Sequence, residues 1–286
     1  MGGIEVSVSC QRELTLKVGA KLNLYLAIVG KRGNYHLLET VFQSIDLYDK
    51  ITIRLGGEGI RLNCVGVEAG EDNLAYRSAL AFKEAFGVKE GIHIELEKGI
   101  PIARGLGGGS ADAGAVLWAL GELFSIPREK LLPIASSLGA DVAFFLYGGC
   151  AIGRGIGDII EPLPFLPRFH FLLIIPPFPI STALAYSRLK PSFEPSNLNK
   201  FIEALEKSDI IEIEKFMRND LEKAVFPLFP ELKEVKERLR EMGFPTLMTG
   251  SGSALFSFFQ GEPPNFRREG WQTIVVNPTP KAIVWS

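Results

Sequence analysis

The sequence predicts an α+β chain folded in two lobes, and three observations carry that expectation. Apolar and polar residues alternate early in the chain, helical runs flank a stretch with four glycines in the five positions 105–109, and a three-proline segment at 161–169 precedes a fresh apolar strand. The division follows at that segment, with one lobe over residues 1–160 and a second over 161–286.

The elements follow in order. In "LTLKVGAKLNLYLAIVG", Leu14, Leu16, Val18, Ala20, Leu22, Leu24 and Leu26 make one small or apolar face. Lys17, Gly19, Lys21, Asn23 and Tyr25 make the other, so the period is two and the segment reads as a strand with one face in a core. "KITIRL" and "GIHIELEKGI" read as further strands, and "NLAYRSALAFKEAFG" as an amphipathic helix capped by Asp72 or Asn73 and ended by Gly87. After the glycines, Ala113, Val116, Leu117, Leu120, Leu123 and Phe124 keep the three-four spacing of a buried helix face. A further helix starts after Pro127 and stops near Gly139, and "VAFFLYGGCAIGRG" reads as a strand with a glycine-rich turn. Beyond the proline segment come a strand at Phe171–Ile175, the turn "PPFPIST", several helices including "PELKEVKERLREMG", and "LMTGSGSALFSFF", a second glycine and serine loop beside a strand.

Composition excludes some function classes. With 286 residues, 47% hydrophobic and 22% charged, the chain has the make-up of a soluble protein with a sizeable core. A formal net charge of −2 gives no general field for nucleic acid or an anionic membrane, so a bound anion needs a local site. Cys10, Cys64 and Cys150 are odd in number and scattered, which reads as small buried residues in a reducing compartment rather than a disulfide framework. The start shows no basic region followed by an apolar stretch, and "FHFLLIIPPF" is far shorter than the roughly 20 residues of a membrane span, so a cytoplasmic location is expected. His36, His93 and His170 are isolated and no HExxH occurs, which argues against a transition-metal site and leaves only a metal ion brought by a substrate phosphate.

The glycines at 105, 107, 108 and 109 run straight into an apolar helix. A helix start offers free backbone N–H groups and the positive end of the dipole, and glycines let a phosphate approach that backbone. Ser110 and Asp112 are candidate caps, and Ser110 could instead offer its hydroxyl to a phosphate or to Mg²⁺. The plain alternative is a connector with a serine cap. The pattern is neither GxxxxGK[ST] nor GxGxxG, "GRGIGD" at 153–158 reads as a turn, and the protein-kinase signatures HRD and DFG are missing.

"PIARGLGGGSADAGAVL" resembles the phosphate-binding motif of the GHMP kinase superfamily, the small-molecule kinases named for galactose, homoserine, mevalonate and phosphomevalonate. "KVGAKLNLYLAIVGKRGNYHLLETVFQSIDLYD" is similar to its amino-terminal strand motif and "LMTGSGSALFSFF" to its carboxy-terminal glycine motif, in the same order. With "SSLGADVAFFLYGGCAIGRGIGDIIEPL" the resemblance runs from about residue 16 to 256 and points to a branch whose acceptor is a cytidine diphosphate sugar alcohol. It implies a two-lobed GHMP kinase fold, with a left-handed βαβ crossover in the first lobe and a ferredoxin-like second lobe. It also implies ATP as co-substrate, with Mg²⁺ carried along, and phosphorylation of a tertiary hydroxyl. The chain departs from the family where "KRGNYHLL" replaces the usual "RPDGYHEL", one residue shorter and without the glycine before Tyr35, and where Ala111 replaces a second serine.

By the resemblance, Asp141 is the catalytic aspartate, at a helix-to-strand turn, and Lys21 its partner on the transferring phosphate; the ordinary alternatives are a turn-capping Asp and a solvated lysine. Asn23 would help place the acceptor. Tyr35 and His36 match the cytidine site, with Tyr186 on the other face of the base and Thr182 nearby. Gly105, Leu106, Gly107, Gly108, Gly109 and Ser110 would take the ATP phosphates, and Asn73, Leu74, Lys98 and Pro101 would line the adenine side. Gly250, Ser251, Gly252 and Ser253 form the second glycine loop, which the superfamily brings close to the active site.

Overall fold

A computed structural model describes residues 12–65, 70–164, 168–190 and 193–285. Cys10 and the proline-segment residues 165–167 lie outside the described residues. Two long strands open it, β1 (Glu13–Arg32) and β2 (Tyr35–Leu55), paired antiparallel through a two-residue turn at Gly33 and Asn34. β3 (Ile60–Val65), α1 (Leu74–Phe86) and β4 (Ile92–Glu97) form a βαβ unit, since β3 and β4 are parallel. Then come α2 (Gly108–Leu123), α3 (Arg128–Leu138), α4 (Val142–Tyr147), β5 (Cys150–Arg154) and β6 (Ile159–Leu163). Asn73, rather than Asp72, caps α1, its side chain accepting from Ala75 N at 2.9 Å, and Gly87 closes it at φ 66°.

The second sheet starts with β7 (His170–Ile175). It is followed by α5 (Thr182–Ser187), α6 (Leu198–Lys207), α7 (Ile210–Phe216), α8 (Glu222–Val225) and α9 (Pro230–Glu241). β8 (Thr246–Met248), β9 (Leu255–Phe259) and β10 (Gln272–Val276) complete it, in the order β10-β7-β9-β8. Numbered along the chain this is 4-1-3-2, the order of a ferredoxin-like sheet, although residues 260–271 join β9 to β10 without a helix. The last strand, β11 (Ile283–Trp285), returns to the first sheet and pairs with β1. That sheet runs β11-β1-β2-β4-β3, with β5 on β2 and β6 on β5. A cut at residue 160 falls inside β6, and the chain after 277 belongs with the first sheet.

Burial follows the strand period. On β7, Phe171, Leu173 and Ile175 join the main core shared with the first sheet, while Leu172 and Ile174 join a second cluster with Leu232, Val235 and Leu239 of α9. Two sequence readings are corrected. The polar face of β1 is not solvated: Lys21, Asn23 and Tyr25 are all buried, because the glycine loop and the second lobe cover that half of the strand. Residues 142–147 are the helix α4, not a strand, and strand structure begins only at Cys150. The six-residue apolar run has no periodicity long enough to separate the two. Asp141 accordingly sits between two helices.

Gly114 inside α2 is explained by packing rather than conformation. A Cβ there would lie 2.7 Å from Phe145 Cβ of α4, so the glycine lets the two helices touch. Cys150 is buried and its thiol pushed up to about 12 by that burial, whereas Cys64 on β3 is half-buried. Among the described residues no helix is long and apolar enough to cross a membrane.

Candidate active site

The loop at 105–109 opens onto the start of α2. Gly107 is the N-cap residue, at φ 74°, and α2 has no side-chain cap bond. Ser110 and Asp112, expected as caps, lie inside the helix instead. The first-turn N–H groups therefore stay free for an anion. One wall of the loop is β1, where Lys21 N donates to Leu106 O at 3.0 Å.

Lys21 passes between the two glycine loops. A Cβ on Gly107 would stand 2.9 Å from Lys21 Cγ, and one on Gly250, at φ 53°, would stand 3.0 Å from Lys21 Nζ. Both positions need glycine for backbone conformation and for space around the lysine. The ammonium lies 3.5 Å from Asp141 Oδ2 and donates to Asn23 Oδ1. Lys21 is 3% exposed and Asp141 32% exposed, so the lysine is held inside and the carboxylate faces the cavity. Burial lowers the Lys21 pKa below its ordinary value, and the Asp141 charge and hydrogen bond oppose that shift. Asp141 starts α4 yet makes no cap bond, so its carboxylate is not used up as a helix cap.

Asn23 is a brace. While its Oδ1 accepts a hydrogen bond from the lysine, its Nδ2 donates to Thr40 Oγ1 at 2.8 Å, and Thr40 donates to Tyr25 O at 2.6 Å. Thr249, which the sequence reading passed over, joins three parts: its hydroxyl accepts from Asn23 N at 3.0 Å and donates to Gly105 O at 3.3 Å. Asn219 fixes the second loop from below, donating to Met248 O at 2.7 Å and Gly250 O at 2.8 Å.

Behind the loop, Lys98 bridges two buried carboxylates, Asp112 at 2.6 Å and Asp49. Burial works to lower the Lys98 pKa, but the two negative charges outweigh it and the net shift is upward. Burial raises Asp112 against the pull of Lys98. Asp49 also accepts from Gly99 N at 2.7 Å and Ile100 N at 2.8 Å, which fixes the turn leading to the glycines. Neither aspartate was singled out as a site residue. The signal for Asp112 was a charge set among the small and apolar residues of the first half of α2, read there as a cap.

The glycine loop, Lys21, Asn23, Thr40, Lys98, Asp112, Asp141 and Gly250 border one cavity of about 1020 Å³, which Asp49, Asn219 and Thr249 support from behind its lining. Ligand sites run roughly 300–1,000 Å³, so this cavity lies at the top of that range. The expected donor-side residues Asn73, Leu74, Lys98, Pro101 and Gly105 to Ser110 line it, as do Lys21, Asn23, Tyr35, His36, Asp141, Thr182, Tyr186, Gly250 and Ser251. Gly252 and Ser253 do not. Ser253 is fully buried and its hydroxyl donates to Phe178 O at 2.6 Å, so that half of the second loop braces the lobe rather than the cavity.

At the far end, His36 and Tyr186 face each other with ring centroids 5.3 Å apart. Burial, then the charge of Lys31, lowers the His36 pKa, which favours the neutral ring. Burial, then the charge of Asp141, raises that of Tyr186. Tyr35, just after the shortened turn, is 64% exposed. Thr182 Oγ1 lies 3.1 Å from Ser251 Oγ, which links α5 to the second loop.

The model of the GHMP kinases N terminal domain matches residues 73–149, and that of the GHMP kinases C terminal matches residues 201–272. A homoserine kinase from Cytophaga hutchinsonii shares the fold, with a TM-score of 0.79 over 96% of this chain and 98% of that one at 21% identity. The chain belongs to the GHMP kinase family and is a small-molecule kinase. A relative from Desulfitobacterium hafniense, a 4-diphosphocytidyl-2-C-methyl-D-erythritol kinase, is 44% identical over 250 residues, covering 85% of this chain and 86% of its own. One of the same name from Syntrophomonas wolfei is 39% identical, covering 92% and 95%. A crystal structure of a 4-(cytidine 5'-diphospho)-2C-methyl-D-erythritol kinase matches with a TM-score of 0.76 at 36% identity, over 92% of this chain and 99% of that one.

Proposed function

We propose that this chain transfers the γ-phosphoryl group of ATP to the 2-hydroxyl of 4-diphosphocytidyl-2-C-methyl-D-erythritol, a cytoplasmic step of the non-mevalonate route to isoprenoid precursors. The observation that carries the reading is the Lys21–Asp141 pair, set in one cavity between a glycine-rich helix start and the His36–Tyr186 ring pair. The first-turn N–H groups of α2 hold the donor phosphates. His36 and Tyr186 take the cytosine, one by a hydrogen bond from a neutral ring and one by stacking. Tyr35 has the exposure to cover the base once it is bound.

The acceptor oxygen attacks phosphorus as the bond to ADP breaks, and its proton passes to the Asp141 carboxylate. Transfer of this kind runs through a loose transition state, so placement and charge neutralisation carry most of the rate. Lys21 supplies the neutralising charge, and Asn23 and the two glycine loops aim it. Mg²⁺ carried with ATP would add charge neutralisation at the phosphate oxygens. Asp112 Oδ1 is a buried carboxylate oxygen without a hydrogen-bond partner among the described residues, which suits a hard cation, and with the Ser110 hydroxyl it would hold the ion.

The test is the position of the new phosphate. Phosphorus and carbon NMR of the product should show it on the tertiary carbon of the methylerythritol. A phosphate at a primary or secondary hydroxyl would reject the placement of the acceptor against Asp141.

A further inference from the structure

Arg104, the residue before Gly105, has no part in the site described so far. Its backbone is pinned between the lobes: Ala254 N donates to Arg104 O at 3.1 Å, and Ile180 N donates to Ala103 O at 3.3 Å. Arg104 is half-buried and is one of the residues lining the cavity, and on the side of the second lobe its Nη2 makes one long bond, 3.3 Å, to Pro177 O. Nε and Nη1 are shut off from solvent and have no hydrogen-bond partner among the described residues. No carboxylate stands within ion-pair distance among them either, although of the two other cations lining the cavity Lys21 is matched to one carboxylate and Lys98 to two.

A guanidinium carries five N–H donors and cannot shed its charge at neutral pH. Leaving such donors buried and unanswered is costly, and native proteins do so rarely. Burial alone pulls the Arg104 pKa down, with no opposing charge. The partner that fits is an anion arriving in the cavity with the substrates.

We propose that Arg104 is a phosphate-binding residue of this site, completed by a diphosphate group of one of the two nucleotides. Either source offers the same chemistry: the phosphates of ATP along the glycine loop, or the diphosphate of the cytidyl acceptor. Guanidinium favours phosphate oxygens through charge-assisted hydrogen bonds. The inference rests on the proposed reaction for the identity of the nucleotides, though not for the presence of a phosphate.

The test uses the full chain and its Arg104→Met and Arg104→Lys variants. Affinities are measured by calorimetry for ADP against adenosine and for CDP against cytidine, and melting temperature without ligand. Arg104→Met should lose roughly ten- to a hundredfold in affinity for one diphosphate and almost nothing for its nucleoside. Arg104→Lys should keep part of the affinity, and the unliganded Met variant should melt no lower than the parent. Loss confined to ADP assigns Arg104 to the donor, and loss confined to CDP to the acceptor. Unchanged diphosphate affinities overturn the proposal. So do equal losses for nucleoside and diphosphate with a lower melting temperature, because Arg104 would then be a brace on Pro177. A parent chain that binds neither ADP nor CDP would instead overturn the functional reading.

Discussion

Lys21 and Asp141 lie 3.5 Å apart and 120 positions apart in sequence, and the lysine is the more buried of the two. Asp141→Asn keeps the shape but loses the proton acceptor, so kcat should fall about 10²–10⁴-fold with both substrates still bound. Near-normal turnover would remove Asp141 from the mechanism. Lys21→Met removes a buried charge. The folded-state pKa of Lys21 lies below its unfolded value of 10.5, so in the window between them the unfolded chain binds more protons. The stability withheld by burying Lys21 is thus missing below the folded pKa and returns as pH rises toward 10.5. Melting curves should show the Met variant inactive but at least as stable as the parent at neutral pH, its advantage shrinking as pH rises. A constant difference across pH would contradict the assignment. The placements expected at 21, 105–110 and 141 rest on long ordered motifs that resemble those of the GHMP kinases; local spacing alone left a solvated lysine and a turn-capping aspartate open, and the structure brings these residues to one cavity. Arg104, Asp49, Asn219 and Thr249 could not be read from sequence, because their roles come from partners 29 to 226 positions away that no local spacing encodes.

Elements show the same divide. Strands and helices with clear period were legible: the 14–30 alternation, α1 with its Gly87 stop, the α2 face and α9. The run Val142–Tyr147 was not, because it is buried all round and too short to show a period, yet it forms the helix that sets Asp141. The long β2 was seen only at its end, since its middle is buried on both faces and does not alternate. Helix packing gives a prediction at this scale. Gly114→Ala gains up to about 1 kcal/mol of helix propensity, but the new methyl must push α4 away, and overpacking costs about 1–3 kcal/mol. Denaturant unfolding should show a net loss of about 1 kcal/mol, with kcat reduced because Asp141 moves with α4. A variant more stable than the parent and fully active would show that the contact is slack.

For the molecule as a whole, the cavity exists only where the lobes meet. Residues 218–220 run beside β1: Leu26 N donates to Arg218 O at 2.6 Å, Asp220 N donates to Leu26 O at 3.0 Å, and Ile28 N donates to Asp220 Oδ2 at 2.8 Å. Arg218 holds that carboxylate with two bonds, at 2.7 and 2.8 Å. Asp220→Ala should cost about 3 kcal/mol, since it leaves a strand N–H unpaired and the largely buried Arg218 guanidinium with only Pro195 O and the more distant, exposed Glu194. It should also raise both KM values by loosening the second loop against Lys21. Unchanged stability would mean that the lobes are held elsewhere. The proline segment pointed to a second sheet beginning at β7, but the expected cut at residue 160 splits β6, and the return of β11 to the first sheet was not legible, because a three-residue strand carries too little pattern. The central claim concerns the reaction, and its most direct test is ADP release from ATP and Mg²⁺ with 4-diphosphocytidyl-2-C-methyl-D-erythritol, mevalonate, homoserine or no acceptor. The account predicts ADP with the cytidyl alcohol alone. Release with another alcohol, or none from folded protein that still binds ATP, would contradict it.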